Sequence, residues 1–161
     1  HIGDLDTAQS MDFFDSSLKN YRELFDIDHF DYIAHDMHPD YSSTRAALRI
    51  SNDTRKLYPV QHHKAHIASV MAEHGLTKGL LGFSWDGTGY GEDGKVWGSE
   101  IFELDSRLDF KRIGHLTEKV LPGGDASINR PYRMTTVYLC KLSGENLDNS
   151  YKSKKNIYDK L

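Results

Sequence analysis

His62 and His66 stand four residues apart, and Asp86 follows at the end of the next apolar run. On a helix, residues four apart share a face, one turn above the other. Two imidazoles so placed can reach one metal ion, as in other His-x-x-x-His pairs. Asp86 closes Leu80-Leu81-Gly82-Phe83-Ser84-Trp85, a short apolar run that reads as a buried strand. A carboxylate at a strand's carboxyl end can face the first turn of the helix before it. The three side chains would then present two nitrogens and one oxygen to a divalent cation and leave positions open for chemistry. With nine histidines in the chain, spacing alone also allows an ordinary exposed helix pair.

The second group is Asp86-Gly87-Thr88-Gly89-Tyr90-Gly91. Glycines after a strand let the backbone approach a ligand, and turn amides can point at phosphate oxygens. Gly87, Thr88 and Gly89 are therefore candidate phosphate or carbamoyl contacts. Asp-Gly is also ordinary hairpin chemistry, which accounts for Gly87 but not for three glycines in six residues. A third group, His35 to Arg45, is dense in polar side chains and leads into a helix amino terminus, where anions are favoured. His38, Tyr41 and Arg45 could face a phosphate or carbamoyl group there; a capped loop using Asp40 and Ser43 explains the same residues. Gly123-Gly124-Asp125 precedes another helical stretch and suits either a nucleotide or a loop.

These residues need elements to position them. Met11, Phe14, Leu18, Tyr21 and Phe25 form one stripe at helical spacing. Residues 32–34 read as a brief strand, 35–41 as a loop, and Ser42 or Ser43 as the cap of a helix through Arg49. Leu57 to Gln61 reads as a strand in which Pro59 favours an edge or an end. His62 to His74 reads as a helix with Gly75 as its C-cap. Leu80 to Trp85 is expected to be the central buried strand, because it is apolar on both faces. Val96 to Leu104 is its expected hairpin partner, and Phe110 to Leu116 a third, antiparallel strand. Gly123-Gly124-Asp125 then caps a helix over about 126–142, regular from near Asn129 because of Pro131. The fold class is α/β: alternation in the first half argues for parallel pairing, and the later hairpin makes the sheet mixed.

Composition narrows the function. The 161 residues are 38% hydrophobic and 27% charged, an ordinary globular mixture of one domain or one lobe of something larger. A net charge of −4 leaves no basic footprint for nucleic acid. No run approaches the roughly 18 apolar residues of a membrane span. The single cysteine, Cys140, excludes an intrachain disulfide, suits a reducing, cytoplasmic setting, and reads as a small buried residue. The chain opens on His1-Ile2-Gly3-Asp4 without an initiator methionine or signal peptide, as a piece of a longer protein would. Residues 143–161 read as a polar tail or a truncated continuation.

Taken in order, His1-Ile2-Gly3-Asp4-Leu5, Asp36-Met37-His38-Pro39-Asp40-Tyr41, Val60-Gln61-His62-His63-Lys64-Ala65-His66, Asp86-Gly87-Thr88-Gly89-Tyr90-Gly91 and Leu121-Pro122-Gly123-Gly124-Asp125 closely resemble the HypF carbamoyltransferases, maturation factors of nickel–iron hydrogenases. The resemblance runs over 1–142, with departures at Met37 and Lys64. It implies the first lobe of a domain similar to the tRNA threonylcarbamoyl transferases, with the actin/Hsp70/sugar-kinase (ribonuclease H-like) fold. It also implies an enzyme that makes carbamoyl-adenylate from carbamoyl phosphate and ATP and passes the carbamoyl group to the C-terminal cysteine of HypE for cyanide synthesis. By that similarity His62, His66 and Asp86 bind zinc or iron. A further aspartate ligand would come from outside this chain, Asp86 would be catalytic, and the fragment would be inactive alone. Alternatives are an antibiotic O-carbamoyltransferase lobe, a non-catalytic lobe that binds a nucleotide or docks a partner, and a metal-dependent hydrolase.

Overall fold

The computed structural model describes residues 2–3, 5, 7–51, 56–77 and 79–144. His1 and Asp4 of the first motif, and the expected tail from residue 145 onward, lie outside the described residues. The chain divides into two compact units, residues 1–115 and 116–161.

The first unit begins with α1 (Ala8–Leu24), started by a capping box in which Thr7 and Ser10 satisfy each other's amides. None of its residues is buried, and Tyr21 and Phe25 of the expected apolar stripe stay exposed. Next come β1 (Ile33–Asp36), α2 (Ser42–Ile50) and β2 (Leu57–Val60). β1 and β2 pair in parallel, with Ile33 opposite Leu57 and Asp36 opposite Val60. This is a βαβ unit, and its register brings both carboxyl ends to one edge. β1 runs two residues further than the sequence suggests and takes His35 and Asp36 out of the loop.

α3 (His62–His74) starts and ends where its sequence signals place it. The Gln61 side chain accepts the Lys64 N–H at 3.0 Å, and Gly75 closes the helix in the left-handed conformation at φ 62°. α3 lies against β3 (Leu80–Ser84) at Gly82, where an added Cβ would come within 2.7 Å of Ile67 Cδ1. After β3 the chain forms β4 (Gly89–Tyr90), β5 (Val96–Trp97), β6 (Glu100–Leu104) and β7 (Phe110–His115).

Three expectations change here. β3 is an edge strand, not a central one: the antiparallel order is β3-β6-β7, and Leu81, Phe83 and Trp85 are exposed. An apolar run is buried on both faces only where both faces have cover; here only the face toward α3 does. The expected strand 96–104 is two strands, because the backbone bends at Gly98 and Ser99. A Cβ on Gly98 would sit 2.5 Å from Gly87 O, and Ser99 N–H donates to Asp86 O at 2.8 Å. β5 therefore pairs with β4 as a separate ribbon, and only β6 pairs with β3. Parallel and antiparallel pairings accordingly occupy separate sheets rather than one mixed sheet. The α/β class stands, with Ile67, Met71, Trp97, Phe102 and Leu104 as core. Glu100, fully buried, accepts two hydrogen bonds from Arg112, whose guanidinium lies 3.9 Å over the Trp97 ring.

In the second unit a short 3-10 turn (Gly124–Ser127) precedes α4 (Tyr132–Ser143). α4 starts later than expected, directly after Pro131, whose φ of −57° is preset for a helix. Thr136, Val137 and Cys140 are buried along it.

Candidate metal centre

Three loops at strand ends meet the first turn of α3. Asp36 ends β1, His62 opens α3 two residues beyond the neighbouring end of β2, and Asp86 follows β3. The sequence group His62, His66 and Asp86 assembles as expected: their ligand-type atoms lie within 4.8 Å of one another. Asp86 Oδ2 is 2.9 Å from His62 Nε2 and 3.7 Å from His66 Nε2, and the two Nε2 atoms are 3.2 Å apart. Asp86 Oδ2 is buried, and no hydrogen bond satisfies it. With metal–ligand bonds of about 2.0–2.2 Å in a tetrahedron, neighbouring ligand atoms sit roughly 3.3–3.6 Å apart. These residues therefore fit a divalent cation, by donor type and by separation.

Two of the three candidate ligands, Asp86 and His62, are held from behind. Asp86 Oδ1 accepts the Gly87 N–H at 2.8 Å, which turns Oδ2 toward the histidines. His62 Nδ1 lies 2.8 Å from Asp36 Oδ2, while Asp36 Oδ1 accepts the His38 N–H at 2.7 Å. Orienting a ligating imidazole through its other nitrogen is the usual role of such a carboxylate. Gly89 is packed against the pair: a Cβ there would fall 2.6 Å from His63 Cε1 and 2.9 Å from His62 Cβ. Of the two glycines that the sequence offers to ligand oxygens, Gly87 donates its N–H to Asp86, and Gly89 lets β4 lie beside the histidines.

His63 was missed as a functional residue. It is fully buried, its Nδ1 is 3.0 Å from Gln61 Nε2, and its Nε2 has no hydrogen bond and lies 3.8 Å from Asp86 Oδ2. Burial lowers its pKa below the ordinary histidine value, against the opposing pull of Asp86 and Glu100. The sequence pattern places Asp36 in a loop, whereas in the structure it ends β1. The signal that could have found it is its place at the carboxyl end of a strand parallel to the one preceding His62.

The remaining candidates fall in two places. His38 stacks on Tyr41 with ring centroids 4.2 Å apart and meets Tyr90 edge-on at 5.0 Å. Through the His38 N–H this aromatic group is tied to Asp36, and Arg45, one turn into α2, donates to Ser42 at 3.4 Å. Thr88 lies in the loop between Asp86 and β4, half-buried. Gly123, Gly124 and Asp125 belong to the second unit. Gly123 and Gly124 hold φ of 80° and 55° there, and a Cβ on Gly123 would collide with Arg133. No described helix is long and apolar enough to cross a membrane.

Strand-end loops, a helix opening on paired histidines and a facing aspartate give an α/β domain with a candidate metal centre. Residues 1–73 match a family model described as the HypF Kae1-like domain. Residues 82–160 match one described as the carbamoyltransferase Kae1-like domain, second subdomain. The chain belongs to the HypF carbamoyltransferase family. It is 37% identical over 153 residues to carbamoyltransferase HypF2 of Cupriavidus necator, covering 94% of this chain and 19% of that protein. It is 36% identical over 168 residues to carbamoyltransferase HypF of Synechocystis, covering 97% and 21%. A crystal structure of full-length HypF in a phosphate- and nucleotide-bound form superposes with a TM-score of 0.78 at 42% identity, over 88% of this chain and 18% of that one. The HypF of T. kodakarensis superposes at 0.76 with 36% identity, over 87% and 18%. The α/β fold is thus that of the expected actin/ribonuclease H-like lobe, and the chain spans about a fifth of the curated relatives' length.

Proposed function

We propose that this chain carries the metal centre of a hydrogenase maturation carbamoyltransferase. The observation that carries the proposal is the convergence of His62 Nε2, His66 Nε2 and the unsatisfied Asp86 Oδ2. In this reading His62, His66 and Asp86 hold a zinc or iron ion, which when bound supplies a Lewis acid and a template. Carbamoyl-adenylate, made elsewhere in the full protein from carbamoyl phosphate and ATP, is the donor. The thiolate of the C-terminal cysteine of HypE attacks the carbamoyl carbon. A carbon–sulfur bond forms, the bond to the adenylate phosphate oxygen breaks, and AMP leaves.

The chain's own residues orient that exchange. Asp86 sets the third ligand position, and Gly87, Thr88 and Gly89 shape the loop beside it. His38, Tyr41 and Arg45 offer an aromatic stack and a cation to the adenylate; Gly123, Gly124 and Asp125 are the second unit's own candidates for the nucleotide. The phosphate and nucleotide in the HypF relative support a nucleotide ligand. The two family matches divide the chain between residues 73 and 82, so that His62 and His66 come from one match and Asp86 from the other. We read the centre as lying at that junction, and residues 143–160 as part of the second match. The lone cysteine and the thiol acceptor suit the cytoplasm.

The test is Asp86→Ala in the full-length protein. Carbamoyl transfer to the partner's cysteine should be abolished, and adenylate formation should remain. Transfer at the normal rate, or loss of adenylate formation itself, overturns the assignment. Zinc content of His66→Ala against wild type tests the ligand set separately: unchanged binding removes His66 from it.

A further inference from the structure

We propose that the adjacent residues His62 and His63 carry opposite tautomers: His62 offers an Nε2 lone pair to the cation, while His63 holds Asp86 with an Nε2–H. His63 is then a positioning residue and not a ligand, although its ring faces the same carboxylate.

The argument starts at Gln61. Its two amide positions are normally interchangeable by eye and must be assigned from their neighbours. Here the neighbours leave one choice. Its Oε1 accepts the Lys64 backbone N–H at 3.0 Å, as the cap of α3. Its Nε2 lies 3.1 Å from the Tyr90 carbonyl oxygen. Turning the amide over would set donor against donor at Lys64 and acceptor against acceptor at Tyr90. The amide nitrogen has two protons. One goes to Tyr90 O, and the other points at His63 Nδ1, 3.0 Å away. His63 Nδ1 must therefore accept. A neutral imidazole carries its proton on the other nitrogen, and an imidazolium would oppose the Gln61 donor. The proton is on Nε2, and that atom is buried without a partner, 3.8 Å from Asp86 Oδ2.

His62 is set the other way. Its Nδ1 lies 2.8 Å from Asp36 Oδ2, a carboxylate acceptor, so Nδ1 holds the proton and Nε2 holds a lone pair. A neutral His62 with its proton on Nδ1 thus presents an Nε2 lone pair 2.9 Å from Asp86 Oδ2, which has no hydrogen bond. A cation shared by the two atoms would satisfy both. The Nε2–H of His63 is the donor left for the same carboxylate, and a closure of less than about 1 Å would bring it to hydrogen-bond length. Asp86 would thus be shared between the cation and one neutral donor, which holds its oxygen in place without adding a competing ligand.

The proposal rests on His62, His66 and Asp86 being the cation ligands, so its test does not use carbamoyl transfer. Neutron crystallography of the full-length protein should place deuterium on Nδ1 of His62 and on Nε2 of His63, whether or not zinc is bound. A deuteron on His63 Nδ1 overturns it. Zinc titration of the same protein gives the second reading. His63→Phe keeps the buried volume and removes the donor, and should weaken zinc binding by about 10–100-fold. His63→Gln can present an amide N–H near the same position and should stay close to wild type. Wild-type zinc affinity in His63→Phe, or an equal loss in both variants, overturns the proposal; should His63→Phe fail to fold, the neutron map still decides.

Discussion

The first turn of α3 and the outer face of β3 are neighbours built on opposite terms. At the first turn of α3, directions are fixed by named partners: Gln61 by Lys64 and Tyr90, His62 by Asp36, Asp86 by Gly87. Along β3, Leu81 and Phe83 are about half exposed and Trp85 is 67% exposed. A groove of about 580 Å³ runs there between α3 and β3, lined by Val70, Leu76, Phe83 and Trp85, with His66 and Asp86 also on its wall. The orientations of Gln61, His62 and Asp86 are set by partners among the described residues, whereas apolar cover on this face is incomplete. Hydrogen bonds at the site join residues brought together by short spacings, by the β1–β2 pairing and, for Gln61 and Tyr90, by the approach of β4 to the start of α3. Burial depends on whatever mass lies opposite, which no local pattern encodes.

The contrast breaks most directly on paired truncations. Phe102, fully buried in β6, should cost about 3–5 kcal/mol as Phe102→Ala, the range for a large core aromatic. Leu81→Ala, on the uncovered face of β3, should cost less than about 1 kcal/mol. Urea unfolding of both variants measures the gap. Equal losses would mean that the outer face of β3 is as much core as β6 is.

What was legible in the sequence divides along the same line. The His62–His66–Asp86 group was readable because helical spacing and a strand-end carboxylate are local signals. So was the end of α3, announced by a C-terminal glycine. β3 as a central strand was misread because Leu80-Leu81-Gly82-Phe83-Ser84-Trp85 is apolar at positions of both faces, and composition cannot say which face has a neighbour. The break between β5 and β6 was invisible because it comes from Gly98 meeting the backbone of Gly87, a contact across eleven positions of sequence. Asp36 was hidden because its role depends on the β1–β2 pairing, and His63 because its role depends on which nitrogen of its imidazole is already engaged.

The close approach at Gly89 sharpens the comparison from the polar side. Gly89→Ala would place a methyl group 2.6 Å from His63 Cε1 and 2.9 Å from His62 Cβ. Something must move, at an overpacking cost of about 1–3 kcal/mol. The atoms that move belong to a ligand and its neighbour. Zinc affinity of the full-length protein should therefore fall further than unfolding free energy alone implies. Gly87→Ala, where an added Cβ meets nothing within 4 Å, is the control and should leave both near wild type. A Gly89→Ala variant that binds zinc normally would show that the histidine pair tolerates displacement.

The smallest effect concerns a second carboxylate, Asp93, in the turn that joins β4 to β5. Asp86 has an oxygen without a hydrogen bond; Asp93 Oδ1 has two, from the Lys95 N–H at 3.1 Å and the Trp97 Nε1–H at 2.8 Å. The Lys95 amide above all holds the Asp93 pKa below its ordinary value of 3.8; desolvation opposes it, and the Trp97 indole adds a smaller lowering. The folded-state value is depressed, so the stabilisation is fully present above the unfolded value and is lost as pH falls through the folded one. The ribbon should loosen only below about pH 4, the ordinary carboxylate range. Fluorescence of Trp97, read in a Trp85→Phe background, should report that loosening as a reversible acid transition. Asp93→Asn keeps an acceptor oxygen and cannot titrate, so the transition should vanish from its acid limb. The same acid response in Asp93→Asn would assign the transition to another group, and would mean that the hydrogen-bonded carboxylate is no more sensitive to protons than the rest of the ribbon.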